Sequence, residues 1–384
     1  MQIKDNWKDA VNAIPLAPFD NSVLAFFDDL SKKLVKVREY SDVATFGFWC
    51  RSASLLREKV NYDDLDFRRG RGVVFHSTPS NVPVNFAFSF AAGLLAGNAN
   101  IIRLPGKDFE QVSIIVKEVN ELLDGKYSDL RPYMVFVQYP PDIKMHNQFS
   151  SVCDVRVIWG GDETINELRQ SPLKPRATEI TFADRYSIAV INSEEYIFAA
   201  DKQKIAQDFY NDTYFSDQNA CTAPRIVFWF GNRVMEAKEA FWESIRDLAK
   251  KKYKLAPVQA VGKLAAFYNA AANLPVTLTD STDSYVTRVS ADNADNGLMR
   301  YKYNSGFFFE KDIEALEGIL PVCGERLQTL VYYGFSKEAL SRFLVEYKHK
   351  GIDRIVPMGK SMDFSLTWDG YDLIRQLSRK VVIS

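Results

Sequence analysis

A chain of 384 residues is long enough for two domains, and 47% hydrophobic with 25% charged residues is the balance of a folded globular protein. Lys plus Arg number 48 and Asp plus Glu 49, so the net charge of −1 excludes the basic excess of a nucleic-acid binder. The four cysteines (Cys50, Cys153, Cys221, Cys323) and three histidines (His76, His146, His349) are scattered without ligand spacing, so the expectation is no disulfide framework, no metal and a reducing cytoplasm.

Met1 to Trp7 carries no apolar core of signal-peptide length, and no stretch reaches the ~20 apolar residues of a membrane helix. Residues 20 to 60 read as helices, with Val23, Leu24, Phe26, Phe27, Leu30, Leu34 and Val35 at helical spacing and Cys50 in the core of a second stretch. A short apolar strand, Val73 to His76, leads into the polar loop Ser77-Thr78-Pro79-Ser80-Asn81-Val82-Pro83, and a helix to about Ala96 ends at Gly97-Asn98. Strand Asn100 to Leu104, helix Phe109 to Asp124, strand Met134 to Gln138, helix Ile143 to Ser150 and strand Val155 to Trp159 follow. Such alternation predicts a parallel sheet with crossover helices, which Ser187 to Asn192 would close. Further on, helices Asp201 to Tyr210 and Arg233 to Ala272 (interrupted near Pro257) alternate with strands near 226–230, 285–289, 306–310 and 328–333.

The fold class expected is therefore α/β in two parts. Residues 1–192 form N-terminal helices and a dinucleotide-binding domain, residues 193–350 a catalytic domain, and residues 351–384 a tail returning to the first domain or to a partner subunit. The terminal residues Val381 to Ser384 read as an exposed edge strand, which predicts a homo-oligomer. The high aromatic content, 13%, is explained either by a large core or by an apolar channel for a long substrate.

The segment most suggestive of chemistry is Phe215-Ser216-Asp217-Gln218-Asn219-Ala220-Cys221-Thr222-Ala223-Pro224-Arg225. Small residues around one cysteine, closed by a proline, form a turn that can lift a thiol into a cleft, with the polar run Ser216 to Asn219 supplying donors near it. A thiol is the best ordinary nucleophile at neutral pH; a free cysteine is otherwise a small buried hydrophobe. Two strand-to-helix loops can hold an anionic or carbonyl oxygen: the loop after Val73 to His76, where Asn81 is either a helix cap or such a donor, and the turn Trp159-Gly160-Gly161-Asp162, whose glycines admit close backbone approach. Neither GxGxxG nor GxxxxGK[ST] occurs.

These segments, with Asn98-Ala99-Asn100-Ile101-Ile102-Arg103-Leu104-Pro105, resemble the aldehyde dehydrogenase superfamily. Val157-Ile158-Trp159-Gly160-Gly161-Asp162-Glu163, the cysteine segment, Leu327-Gln328-Thr329, Arg354-Ile355-Val356-Pro357-Met358-Gly359 and Trp368-Asp369-Gly370 are similar to one branch, the fatty acid (acyl-CoA) reductases of the bacterial bioluminescence type. The resemblance implies an aldehyde dehydrogenase-like fold, with a parallel-sheet cofactor domain and an α/β catalytic domain. It implies that Cys221 takes the acyl group of a thioester and that Asn81 with the Cys221 N–H forms the oxyanion hole. Ser77, Thr78, Pro79, Gly160, Gly161 and Asp162 would hold the dinucleotide, and Arg103 with Lys107 the adenosine ribose and its 2′-phosphate, so NADPH is expected, with NADH the alternative. Gln328 falls near the ribose-binding carboxylate of the superfamily. Glu179 aligns with the general base of hydrolytic members, but Thr181 and Phe182 replace the glycines that follow it there.

Three functions stay open at this point. The first is NADPH-dependent reduction of an acyl-CoA or acyl-protein thioester to an aldehyde, passed on to an aldehyde-consuming enzyme. The second is NAD(P)-dependent oxidation of an aldehyde with Glu179 as base. The third is acyl transfer without hydride chemistry.

Overall fold

The computed structural model describes residues 7–79, 82–140, 142–280 and 282–384. The chain forms two compact units, Met1–Ala183 with Phe364–Ser384, and Asp184–Asp363.

The first unit is built on a five-stranded sheet of β1 (Val73–Ser77), β2 (Ala99–Arg103), β3 (Met134–Val137), β4 (Val155–Trp159) and β5 (Thr178–Phe182), all parallel, in the order β3-β2-β1-β4-β5. Every residue of β1 is buried, as expected of a strand with both sheet faces covered. One cover is helix Asn85–Leu95, apolar around almost its whole circumference. Another is helix Asn21–Leu34, started by Asp20, which accepts from the Ser22 N–H at 2.8 Å, and turning Val23, Phe26, Phe27, Leu30 and Leu34 inward. Phe26, Phe27, Phe46, Phe86 and Phe90 are all fully buried there. In this unit the aromatic content is core, and each such side chain removes 150–250 Å² from water. The order of the strands reverses between β1 and β4, so the loops leaving these two strands flank a topological switch point at the carboxyl edge, where open α/β sheets bind ligands.

The tail belongs to this first unit from Phe364 onward. Ser378–Lys380 pairs antiparallel with Arg68–Gly70, and Asn98 Nδ2 donates to the Leu377 carbonyl at 2.9 Å. The expected terminal strand is thus corrected: pairing ends at Lys380, and Val381 to Ser384 lie outside any strand.

The second unit holds a seven-stranded sheet of β6 (Tyr186–Asn192), β7 (Pro224–Phe230), β8 (Val276–Asp280), β9 (Thr287–Ala291), β10 (Phe307–Ile313), β11 (Leu327–Tyr333) and β12 (Arg354–Pro357). Its order is β12-β11-β6-β7-β10-β9-β8, with β8 alone antiparallel. The expected boundary at residue 192 is corrected here. β6 does not close the first sheet but lies between β7 and β11, and the division falls at Ala183/Asp184. Residues 351–363, expected to begin the tail, include β12 and stay with the second unit.

Candidate active site

Cys221 sits in the turn immediately before β7, half-buried, while Cys50, Cys153 and Cys323 are buried. Burial pushes the Cys153 and Cys323 thiols up to about 12 and raises that of Cys50 well above its ordinary value. Those three are inert core residues. The carbonyl of Cys221 accepts from Ser187 Oγ at the start of β6 at 2.7 Å, which places the cysteine turn at the amino edge of the second sheet.

The turn is strained and held. Asp217 and Gln218 are consecutive non-glycine residues in the left-handed region (φ +48° and +51°), each costing about 1–3 kcal/mol. Gln218 is fully buried and repays this through its amide. Its Oε1 accepts from the Gly306 N–H at 2.9 Å, and its Nε2 donates to the Pro224 and Phe307 carbonyls at 3.2 and 3.3 Å. Asp217 accepts from Ser305 Oγ at 2.9 Å and from the Tyr253 hydroxyl. Arg225 reaches back to donate to the Gln218 carbonyl, and to the Tyr303 carbonyl and Asn304 Oδ1, each at 2.8 Å. The facing turn is itself left-handed at Ser305 and Gly306 (φ +63° and +82°). It is gripped from beneath by buried Lys263, which donates to the Ser305 carbonyl at 2.7 Å. Burial draws the Lys263 ammonium down to about 8 and the Arg225 guanidinium to about 10.

The polar run before Cys221 therefore does something other than expected. Asp217 and Gln218 turn their side chains away into the clamp, and the donor at the sulfur comes from another strand. Gln328 Nε2 donates to Cys221 Sγ at 3.4 Å. Gln328 was expected at the cofactor ribose; it is buried in the second unit beside the thiol. Arg225, Lys263, Asn304 and Ser305 were not singled out by sequence reasoning. The Ser305-Gly306 dipeptide is the one local turn signal for this network.

The other expected site residues lie in the first unit. Ser77 ends β1 and is buried; Thr78 Oγ1 donates to the Arg103 carbonyl at 2.6 Å, tying the carboxyl ends of β1 and β2 together. Pro79 follows, half-buried. The Arg103 guanidinium lies over the Tyr139 ring at 4.7 Å, and Lys107 is exposed. After β4, the Gly160 N–H donates to the Phe182 carbonyl at 3.1 Å, and Asp162 is the first residue of helix Asp162–Leu168. Gly161 has φ −68° and ψ 162°, open to any residue, and a methyl group built on it would meet only open space. Nothing within the chain demands glycine there, whereas close approach of a dinucleotide to the backbone would.

Glu179, the expected base, is on β5 with both carboxylate oxygens taken. Oε2 accepts from Arg156 Nε and a terminal guanidinium nitrogen at 2.8 and 2.5 Å, and Oε1 from Arg169 Nε at 2.6 Å. That is a structural ion-pair cluster, and it corrects the reading of Glu179 as a free base. Asn81 and Ser80 lie outside the described residues. His76 is buried, with Ser89 Oγ 2.8 Å from its Nδ1 and Asn100 Oδ1 3.0 Å from its Nε2, and burial lowers its pKa to about 4. Among the described residues no group of three or more His, Cys, Asp or Glu side chains is arranged to hold a metal, and no helix is long and apolar enough to cross a membrane.

Comparison with known proteins bears on both units. The family model described as acyl-CoA reductase (LuxC) matches residues 50–285, more than half of the chain. The long-chain acyl-protein thioester reductase of Aliivibrio fischeri is 25% identical over 199 residues, covering 48% of this chain and 40% of that protein. Its counterpart in Vibrio harveyi is 20% identical over 317 residues, covering 81% and 63%. The match thus spans less than two thirds of the length of these relatives. Among solved structures, an NAD-dependent aldehyde dehydrogenase from Sinorhizobium meliloti superposes with a TM-score of 0.69 at 10% identity over 98% of this chain and 85% of that one. A methylmalonate-semialdehyde dehydrogenase from Oceanimonas doudoroffii gives 0.65 at 12% identity over 100% and 91%. The fold is that of the aldehyde dehydrogenases.

Proposed function

We propose, on the premise that this chain belongs to the acyl-CoA reductase (LuxC) family, that it reduces an acyl thioester, carried on coenzyme A or on a protein, to an aldehyde through an acyl-Cys221 intermediate. The observation that carries this reading is the Cys221 turn: one accessible thiol, with an amide donor at its sulfur, on a strained loop that a buried polar network holds in place. Such fixation is what in-line attack on a carbonyl requires.

In the first step the Cys221 thiolate adds to the thioester carbonyl carbon, and the C=O electron pair moves onto oxygen. The Cys221 N–H and Asn81 are the proposed donors to that oxyanion. Collapse breaks the bond to the carrier sulfur, which leaves as a thiolate and takes up a proton. The acyl group is then a thioester of Cys221. The first-unit residues named below would hold a nicotinamide, whose chemistry would supply the hydride, two electrons, that the acyl carbonyl carbon needs. Re-formation of the C=O breaks the carbon–Sγ bond, releasing the aldehyde and returning the Cys221 thiolate. Water must be kept from the acyl-enzyme, and the commitment of Glu179 to Arg156 and Arg169 supports reduction over hydrolysis.

Ser77, Thr78, Pro79, Gly160, Gly161 and Asp162 are the proposed dinucleotide contacts, at the switch point of the first sheet. Arg103 and Lys107 are proposed to meet a 2′-phosphate, which favours NADPH over NADH. Intact-mass spectrometry tests the whole reading. Incubation with acyl-CoAs should add one acyl mass at Cys221, NADPH should remove it with release of aldehyde, and Cys221→Ala should abolish both while the fold persists. An adduct that NADPH leaves in place, or acylation that survives Cys221→Ala, refutes it.

A further inference from the structure

Gln328, at the start of β11, reaches Cys221 from 107 positions away in the chain. It is fully buried and fixed on three sides. Its backbone carbonyl accepts from the Asp353 N–H at 2.8 Å, and its Oε1 accepts from Thr329 Oγ1 at 3.3 Å. With Oε1 engaged by a hydroxyl, Nε2 is the end of the amide aimed at Cys221 Sγ, at 3.4 Å.

A sulfur anion accepts a hydrogen bond far better than a neutral thiol or a thioester sulfur does. An N–H held at Sγ therefore favours the two states in which sulfur carries charge: the thiolate before attack and the thiolate expelled when the aldehyde forms. The amide can donate without bringing charge of its own, whereas a carboxylate in its place would oppose the thiolate. Buried Arg225 and Cys221 interact electrostatically; Asp217 and Asp184 act on the same guanidinium, and Asp217 is held by Ser305 and Tyr253. We infer that Gln328 is a catalytic residue of the acyl transfer, holding Cys221 as a thiolate and receiving it back at product release. This rests on the reading of Cys221 as the acyl acceptor.

The test needs neither substrate nor cofactor, so it separates this inference from that reading. The rate of alkylation of Cys221 by iodoacetamide is followed against pH by site-resolved mass spectrometry in the full chain. Gln328→Met keeps the volume and removes the N–H, and should move the profile up by about one pH unit, about tenfold slower at pH 7. Gln328→Glu should move it further. Gln328→Asn keeps the amide but is one methylene short of the sulfur, and should match Gln328→Met; it carries the test if the Met variant fails to fold. Folded Met or Asn variants whose Cys221 alkylates at the wild-type rate and with the wild-type profile overturn the inference. Should wild-type chain fail to take an acyl group while these shifts appear, the functional reading falls and the Gln328–Cys221 bond stands.

Discussion

The two turns that matter most in this molecule are built in opposite ways. The glycine turn after β4 is tied by backbone hydrogen bonds, Gly160 N–H to the Phe182 carbonyl and Ile165 N–H to the Gly161 carbonyl, with open space at Gly161 where a side chain would go. The cysteine turn before β7 is over-determined, with two left-handed residues locked by Gln218, Arg225, Asp217, Ser305 and, one layer below, Lys263. The difference fits the roles proposed for the two turns. A turn that waits for a ligand leaves its space and backbone free, and the ligand completes it. A turn that presents a nucleophile must be finished before the substrate arrives, because a misplacement of ~1 Å can cost 10²-fold in rate.

The comparison breaks most sharply at Gln218. Replacing it by alanine strips the Gly306 N–H and two carbonyls of a buried partner while leaving the backbone in a conformation alanine also dislikes. Gln218→Ala should slow acylation of Cys221 by about 10²-fold and lower stability by about 2–4 kcal/mol, with dinucleotide affinity unchanged. Acylation by stopped-flow and cofactor binding by fluorescence titration read the two sides. Wild-type acylation in a folded Gln218→Ala chain would mean the clamp does not position the thiol.

Gly161→Ala is the mirror experiment, with a smaller effect. At φ −68° and ψ 162° alanine is unstrained, and its methyl meets nothing of the protein, so thermal stability should change by no more than about 0.5 kcal/mol. If the turn exists to admit a dinucleotide, the methyl occupies the ligand's space and Kd should rise about tenfold, a loss of about 1.4 kcal/mol. Acylation from acyl-CoA without cofactor should be untouched. An unchanged Kd would leave the glycine without a ligand to explain it.

How much of this could be read from the residues follows the range of the contacts involved. Four of the five strands of the first sheet were legible, Val73 to His76 and Val155 to Ile158 being continuous buried runs, while β5, with its exposed and half-buried residues, was not; the glycine turn was legible because its signal is local. Cys221 was legible for the same reason, since its small neighbours and Pro224 adjoin it in sequence. β6 was assigned to the wrong unit, because strand–helix alternation says nothing about which strand is the lateral partner, and here the partners β7 and β11 come far later. The clamp was illegible because its partners join positions 88 residues apart, Gln218 to Gly306 and Asp217 to Ser305. Gln328 was legible only as falling near the superfamily's ribose-binding carboxylate, and its contact with a sulfur comes from the meeting of β11 with the turn before β7, which no local motif encodes. Glu179 read as a base because its arginine partners, at 156 and 169, carry no motif of their own.

A last contrast separates the units by acid. In the first unit His76 and His146 are buried, and burial lowers each pKa from 6.5 to about 4, for His146 with help from the charges of Arg156 and Arg103. Both stay neutral in the folded chain while the unfolded chain takes up protons between these values, so their contribution is full above pH 6.5 and fades as pH falls toward 4. In the second unit burial raises Asp212 from 3.8 to about 6, against three hydrogen bonds from Gly359 N–H, Ser361 N–H and Ser361 Oγ. The folded form there holds a proton that the unfolded form gives up, so this contribution is present below 3.8 and lost as pH rises through 6. Between pH 7 and pH 5 the first unit should lose about 2 kcal/mol per histidine, while helix Lys202–Asp212 holds or gains protection. Hydrogen exchange read by mass spectrometry at the two pH values resolves the units separately, after correction for the intrinsic rate. Replacing His76 by Gln, which keeps polar atoms near Ser89 and Asn100 without a titrating ring, should reduce the loss in β1 and β2. Equal loss of protection in both units would show that these buried groups do not govern the acid response.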